Sequence, residues 1–214
     1  MSGVTAGIVG AVIGGAAGFG LRILLARLRR GIRLRPGILE FFAALVTAMG
    51  ATASAGTPRF GIVLVAGLLT VLLTPVDAVY HRLPDAITLP AIPVAAVTVL
   101  ATFLAVPGSG SLFTAAACGV GVWAAFAALA HFSPRSMGWG DVKLVPSLGL
   151  LTGYFGVVTT VMGVLMAFVL GALVALYGLI ARRLTLTSAI PFGPFLLLGA
   201  WIVLTFPGLV ASVS

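Results

Sequence analysis

Residues 157–181 read VVTTVMGVLMAFVLGALVALYGLIA and contain no charged side chain. A helix needs about 20 mainly apolar residues to cross the ~30 Å hydrocarbon core of a bilayer. A strand of a membrane barrel would instead alternate apolar and polar residues over about ten positions, and this segment does not alternate. It is therefore predicted to be a transmembrane helix.

Seven further apolar segments extend this prediction along the chain. Of its 214 residues, 61% are apolar and 7% are charged, and the mean hydropathy is +1.25. An ordinary soluble domain has about 25% charged residues, so the composition excludes a soluble globular protein, and its hydrophobicity excludes a disordered one. We predict an all-α, polytopic membrane helix bundle of about eight transmembrane helices, with residues 1–214 forming a single domain. The predicted spans are 4–26, 38–56, 60–80, 86–106, 111–131, 142–156, 157–181 and 189–212.

The basic residues predict the orientation of these spans. Of the 12 basic residues, only Arg59 falls on one side of the membrane, and the other side carries Arg22, Arg27, Arg29, Arg30, Arg33, Arg35, Arg82, Arg135, Lys143, Arg182 and Arg183. Cytoplasmic loops carry an excess of Lys and Arg, so the basic side is predicted to be cytoplasmic, with both termini outside. The net charge of +8 then reflects topology and attraction to anionic lipid headgroups. Nucleic-acid binding is not expected, because no basic patch is interleaved with exposed aromatic residues.

Several residues that could suggest chemistry have structural interpretations. Cys118 is the only cysteine and is expected to be an inert, small apolar residue. His81 and His131 lie at span ends without a second histidine or carboxylate at ligand spacing, so no metal site is predicted. The first span has no basic segment before it, so we do not expect a removable signal peptide. Its glycines lie at helical spacing, which favours close packing on a neighbouring helix; they are Gly3, Gly7, Gly10, Gly14 and Gly18.

The chain has only four acidic residues, all at or near the predicted cytoplasmic ends of spans: Glu40, Asp77, Asp85 and Asp141. A charge well inside a span costs about 2.5–3.5 kcal/mol on insertion scales, so each acid is a functional candidate. Asp85 directly precedes the fourth span and is expected to cap its N-terminus. Glu40 lies in the first turn of the second span, near the arginine-rich loop, and is expected to form a structural ion pair.

Asp77 and Asp141 are the stronger candidates for chemistry. Asp77 ends a strongly apolar segment at a helix C-terminus, where it cannot cap and where the helix dipole disfavours an anion. Asp141 could be an N-cap, but Gly138 and Gly140 permit backbone conformations and close approaches that a cap does not need. Two carboxylates brought together from separate spans cannot easily both ionise. One can then hold a proton while the other activates water, as in aspartic proteolysis.

Both aspartates lie in longer motifs. The first comprises Val76-Asp77-Ala78, His81-Arg82-Leu83-Pro84-Asp85 and Thr88-Leu89-Pro90, and the second is Gly138-Trp139-Gly140-Asp141-Val142-Lys143-Leu144. These resemble the two signatures of type IV prepilin peptidases, the second being the GxGD motif shared with presenilin-type intramembrane proteases. The family's motif at the start of the last helix resembles Ile190-Pro191-Phe192-Gly193-Pro194-Phe195 with Gly199-Ala200. The segment that opens its second helix is weakly similar to Arg35-Pro36 through Glu40 with Ala43-Ala44.

The resemblance implies an aspartic endopeptidase of the bacterial cytoplasmic membrane. It would cleave the short basic leader of prepilins or pseudopilins after a glycine, at the cytoplasmic face. Carried over by motif, Asp77 and Asp141 would be the catalytic pair, and water bound to this pair would attack the scissile carbonyl. No metal, cofactor or covalent intermediate is expected, and the expected partners are the prepilin substrate and membrane lipids.

Other motif residues would support this pair. Gly138 and Gly140 would shape the loop that delivers Asp141. Lys143 would pair with a nearby acid or with lipid headgroups, without a catalytic role. Pro84 and Asp85 belong to the first signature.

The chain departs from the family pattern in its N-terminal part. Many bacterial members carry a cytoplasmic insertion with paired CxxC motifs between the first two helices, where this chain has a short arginine-rich loop. The family's first-helix Gly-x-x-x-Asn pattern reads Gly18-Phe19-Gly20-Leu21-Arg22 here. We therefore expect peptidase activity without the S-adenosylmethionine-dependent N-methylation that bifunctional members perform.

Two other classes of function remain open from the sequence. A small transporter or channel would use Asp77 and Asp141 as proton or cation sites, and it predicts further polar residues deep inside the spans. A catalytically silent membrane scaffold would use the acids only as caps and interface anchors, and it predicts that Asp77 is freely replaceable.

Overall fold

The computed structural model describes residues 2–27, 35–80, 83–133, 137–185, 188 and 190–211. Within these residues the chain forms nine helices and no strand: α1 (Gly3–Arg27), α2 (Ile38–Ala53), α3 (Phe60–Tyr80), α4 (Asp85–Ala105), α5 (Leu112–Phe132), α6 (Trp139–Gly153), α7 (Val157–Ile180), α8 (Gly193–Thr205) and α9 (Gly208–Ala211). The prediction of an all-α helix bundle is therefore confirmed. Among the predicted loop and motif residues, Arg29, Arg30, Arg33, His81, Arg82 and Arg135 lie outside the described residues.

Each of the first eight helices falls on one predicted span, but their lengths differ. Five of them, α1, α3, α4, α5 and α7, are long and apolar enough to cross a membrane. The other three are shorter than the about 20 residues that span a bilayer: α2 has 16 residues, α6 has 15 and α8 has 13. The chain is a multi-pass helical membrane protein with shorter apolar helices between its long ones.

The ends of α6 and α8 differ from the predicted limits. Helix α6 begins at Trp139 rather than at residue 142, which places Asp141 inside its first turn. Helix α8 begins at Gly193, with Pro194 inside its first turn, where proline is well tolerated because its missing N–H has no helical acceptor. It ends at Thr205, before Pro207, because the residue before a proline is disfavoured in helical conformation.

Helices α3, α6 and α8 form the buried centre of the bundle. Helix α3 packs against α2, α4 and α8, and α6 packs against α4 and α5. Their fully buried side chains are mainly aliphatic, including Leu73, Leu144, Leu151, Leu197 and Leu204. The long helices α1, α5 and α7 expose apolar side chains outward, for example Phe113 at 82% and Ile180 at 73%. Such an apolar exterior suits a lipid surround, in which the helices satisfy their own backbone hydrogen bonds.

The glycines of α1 pack against α2, as predicted. A Cβ atom on Gly10 would lie 2.6 Å from Ala51 Cβ, and one on Gly18 would lie 2.8 Å from Glu40 Cα. Thr47 Oγ1 also donates a hydrogen bond of 2.7 Å to the Gly10 carbonyl oxygen. The two backbones therefore approach more closely than side chains at these positions would allow.

Candidate active site

Asp77 lies near the C-terminal end of α3 and is only 4% exposed. The backbone N–H of Gly193, at the start of α8, donates a hydrogen bond to Asp77 Oδ2, with an N···O distance of 3.1 Å. Pro75 lies within α3 two residues earlier; because proline has no N–H, the carbonyl four residues before it loses its helical donor. Asp77 thus extends from a locally weakened helix towards the N-terminus of α8, where the helix dipole favours an anion.

Asp141 lies in the first turn of α6 and is 7% exposed. The N-cap of this helix is Gly138, and the Asp141 backbone N–H donates to the Gly138 carbonyl oxygen at 3.1 Å. The alternative interpretation of Asp141 as the N-cap is therefore wrong. The cause is the earlier start of α6, since the chain turns into the helix three residues before Asp141.

The two aspartates meet beside Gly193. A Cβ atom on Gly193 would lie 2.6 Å from Asp77 Oδ2 and 3.3 Å from Asp141 Oδ1. The two carboxylate oxygens therefore border one small space and can be no farther apart than the sum of these distances. Only a glycine leaves this space open. The pairing expected from the sequence thus corresponds to close proximity of the two side chains in the structure.

Gly193 is the part of the site that residue patterns alone did not identify. The sequence placed it only within a motif at the start of the last helix. The available signal was Pro194, because a proline in the first helical turn marks a helix start. The first N–H groups of a helix have no internal acceptor and are free to bind a carboxylate.

The two glycines before Asp141 play different roles. A Cβ atom on Gly140 would lie 3.1 Å from both the backbone nitrogen and Cβ of Leu83, so Gly140 permits close packing of α6 against the segment that leads into α4. Gly138 has φ −78° and ψ 139°, an extended conformation open to any residue. A Cβ there would lie 3.7 Å from Asp141 Oδ2, an ordinary contact. Gly138 is thus the N-cap of α6, and Gly140 lies in the first turn of that helix.

Asp85 pairs with Lys143 and does not cap α4. Lys143 Nζ lies 2.7 Å and 2.8 Å from the two carboxylate oxygens of Asp85. Pro84 occupies the N-cap position of α4 in an extended conformation, without a side-chain hydrogen bond. The expected capping role is wrong because Asp85 lies one residue inside the helix. The pair joins the starts of α4 and α6, but its side chains are 58% and 38% exposed, so its effect on stability is small.

Glu40 and His131 contact residues other than the two aspartates, and His81 lies outside the described residues. Glu40 Oε1 pairs with Arg22 Nε at 2.6 Å, which confirms the predicted structural ion pair. His131 lies at the end of α5, with its ring 5.4 Å from that of Phe132. Cys118 is buried and unpaired, as expected for a small apolar residue. Within the described residues, no group of three or more histidines, cysteines or acids is placed to hold a metal ion.

Comparisons with known proteins point to one family. Residues 62–176 match the model of the type IV leader peptidase family. The chain is 29% identical over 149 residues to a prepilin leader peptidase/N-methyltransferase of Xanthomonas campestris pv. campestris, a match that covers 69% of this chain and 50% of that protein. It is 41% identical over 68 residues to a protein of the same name from Pseudomonas putida, covering 32% of this chain and 23% of that protein. No solved structure matches the chain.

The matches cover different shares of this chain and of its relatives. The family match covers more than half of the chain and includes both Asp77 and Asp141. The chain spans about half the length of the Xanthomonas relative, so the activity of that whole protein does not pass directly to this one. Together with the multi-pass helical fold, the matches show that this chain belongs to the type IV leader peptidase family.

Proposed function

We propose that this chain is a membrane aspartic endopeptidase that cleaves the basic leader peptide of type IV prepilins or pseudopilins at the cytoplasmic membrane face. Family membership supports this proposal, as do the names of the two relatives. The observation that carries it is the meeting of Asp77 from α3 and Asp141 from α6 beside Gly193. Residues 1–214 would act as one membrane domain.

The two aspartates would divide the proton transfers between them. The Gly193 N–H, at the N-terminus of α8, stabilises negative charge on Asp77. Asp77 would then be the base that takes a proton from the attacking water. Two adjacent carboxylates cannot easily both be ionised, so Asp141 would hold a proton, polarise the scissile carbonyl and transfer that proton to its oxygen as the water adds.

The pattern of buried polar groups favours a peptidase over a transporter. Among the described residues, Asp77 and Asp141 are the only charged side chains that are buried. Most buried hydroxyls in the described helices bond to their own helix: Thr70 donates to the Ala66 carbonyl oxygen at 2.8 Å, and Thr152 donates to that of Leu148 at 2.8 Å. A proton or cation pathway would need further polar groups leading away from the pair.

The proposal is tested by cleavage of a prepilin-like membrane substrate with the purified full chain in detergent or lipid. Mass spectrometry would locate the cut, which we expect directly after the leader glycine. Asp77→Asn and Asp141→Asn should each lower the cleavage rate by about a thousandfold or more, because each removes one half of a catalytic pair. The mass of the new N-terminus also tests for methylation, and we propose that no methyl group is added.

Glu40→Gln is the matched control, because it also converts a carboxylate to an amide but acts on the ion pair with Arg22. It should leave cleavage per folded molecule close to that of the wild type. Cleavage that survives either aspartate substitution would contradict the mechanism. In that case Asp77 and Asp141 would have to be tested as proton or cation sites by transport assays.

A further inference from the structure

The hydroxyl of Thr74 is the unexplained polar group nearest to the catalytic pair along α3. Its Oγ1 atom is buried and has no hydrogen-bond partner among the protein groups of the described chain. In the same helix, Thr70 donates to the carbonyl oxygen four residues earlier, at 2.8 Å. Thr98 and Thr102 make the equivalent bond in α4, also at 2.8 Å. A buried hydroxyl without this bond is costly, and native proteins keep few of them.

The position of Thr74 relates it to the active site. Thr70, Thr74 and Asp77 follow one another at spacings of four and three residues, so they share one face of α3. This face contacts α8 at two levels: Thr70 Oγ1 reaches the Leu197 carbonyl oxygen at 3.4 Å, and Asp77 accepts from the Gly193 N–H at 3.1 Å. Thr74 lies between these two contacts, one turn deeper in the bundle than Asp77.

We propose that Thr74 is a further residue of the catalytic site and that its hydroxyl binds the attacking water. Side chains three residues apart on a helix have Cβ atoms about 5–6 Å apart. One water can span this separation with a hydrogen bond of about 2.8 Å at each end. This inference rests on the proposed peptidase function.

Thr74 would orient the water without entering the chemistry. The water would direct one hydrogen to Asp77 and the other to Thr74 Oγ1, which leaves an oxygen lone pair facing the scissile carbonyl. The proton that the water loses goes to Asp77, and the new bond joins the water oxygen to the carbonyl carbon. Thr74 neither forms nor breaks a covalent bond and is unchanged by turnover.

The test compares Thr74→Val and Thr74→Ser in the full chain, with the same prepilin-like substrate. Valine keeps the β-branched shape but lacks the hydroxyl, so kcat should fall about tenfold or more while KM stays within about twofold. The midpoint of thermal unfolding should stay the same or rise, because a buried hydroxyl without a protein partner is replaced by a methyl group. Serine restores the hydroxyl, so Thr74→Ser should recover kcat to within about threefold of the wild type.

Thr70→Val is the matched control one turn away. It removes a hydroxyl that bonds to the Ala66 and Leu197 carbonyl oxygens, so it should lower the unfolding midpoint while leaving kcat per folded molecule unchanged. A Thr74→Val variant with wild-type kcat would overturn the inference about Thr74. If Asp77→Asn is inactive in that same assay, the proposed peptidase function would still hold. A Thr74→Val variant destabilised as much as Thr70→Val would also overturn it. A wild-type chain that fails to cleave would overturn both proposals.

Discussion

At the level of single residues, the candidate site is formed by a glycine as well as by two carboxylates. Gly193 contributes a backbone N–H to Asp77 and leaves open the space that Asp77 and Asp141 share. A preorganised donor aimed at a charged group is effective because it needs no rearrangement during the reaction. The start of α8 is therefore part of the candidate active site rather than only its support.

Gly193→Ala should abolish most of the activity. The new Cβ atom would lie 2.6 Å from Asp77 Oδ2, so the carboxylate or the start of α8 must move. Displacement of a catalytic group by about 1 Å can cost about a hundredfold in rate, and we expect at least that loss in kcat. The measurement is the cleavage rate per folded molecule, with folding monitored by thermal unfolding.

Gly199→Ala is a suitable comparison in the same helix. Its Cβ would lie 2.8 Å from the Ala167 backbone nitrogen on α7, away from the carboxylates. This variant should lose stability, whereas its folded fraction should retain its rate. Equal losses of kcat in the two variants would indicate that α8 packing, and not the carboxylate site, limits activity.

The individual acids show how far residue-level prediction reaches. Glu40 and its pairing were predictable, because a carboxylate in a first helical turn beside many arginines has few other roles. The role of Asp85 was not predictable, because capping requires a residue at the N-cap position, and Pro84 occupies the N-cap of α4. Its partner, Lys143, is 58 residues away in sequence, and no local pattern connects them.

At the level of helices, α1 and α2 form a pair held by small residues. The α1 glycines, with Thr47 and Ala51 opposite them, leave the two backbones in close contact. Apolar burial adds little to association between helices inside lipid, where close van der Waals packing takes its place. A methyl group added within this contact should therefore lower the stability of the fold.

Gly14→Ala and Gly15→Ala test this packing at adjacent positions. A Cβ atom on Gly14 would collide with Thr47 Oγ1 and the Ala43 carbonyl oxygen, whereas one on Gly15 would meet nothing within 4 Å. Overpacking of this kind costs about 1–3 kcal/mol, so Gly14→Ala should lower the unfolding midpoint. Gly15→Ala should be neutral or stabilising by up to about 1 kcal/mol, because alanine is the better helix former. Similar shifts in both variants would contradict the observed packing.

Helix existence was easier to predict than helix length. Hydropathy located α6 and α8, because apolar segments are obvious in a chain with 7% charged residues. It could not set their ends, since these depend on backbone features such as Pro194 and Pro207 and on the turn at Gly138. The predicted start of α6 is wrong where it matters most, at Asp141. The first turn of α6 directs the Asp141 side chain towards α3 and α8.

At the level of the whole molecule, the bundle has two chemically different ends. One end carries Asp77 and Asp141, the start of α8 and the Asp85–Lys143 pair. At the other end, the Arg59 guanidinium lies 4.1 Å from the centre of the Phe155 ring, and Ser109 Oγ lies 2.7 Å from the hydroxyl of Tyr154. Since α3 starts beside Arg59 and reaches Asp77 near its last turn, the two groups are separated by most of the length of that helix.

Cysteine labelling in intact cells tests the proposed orientation of these ends. In a Cys118→Ala background, Pro107→Cys reports on the exposed connection between α4 and α5, at the end that carries Arg59. Ser188→Cys reports on an exposed position between α7 and α8, at the end that carries Asp77 and Asp141. The excess of Lys and Arg around the end that carries the two aspartates predicts that this end faces the cytoplasm. A membrane-impermeant maleimide should therefore label the Pro107→Cys variant at once and the Ser188→Cys variant only after permeabilisation. The reverse pattern would place the two aspartates outside the cell, where they could not process a leader at the cytoplasmic face.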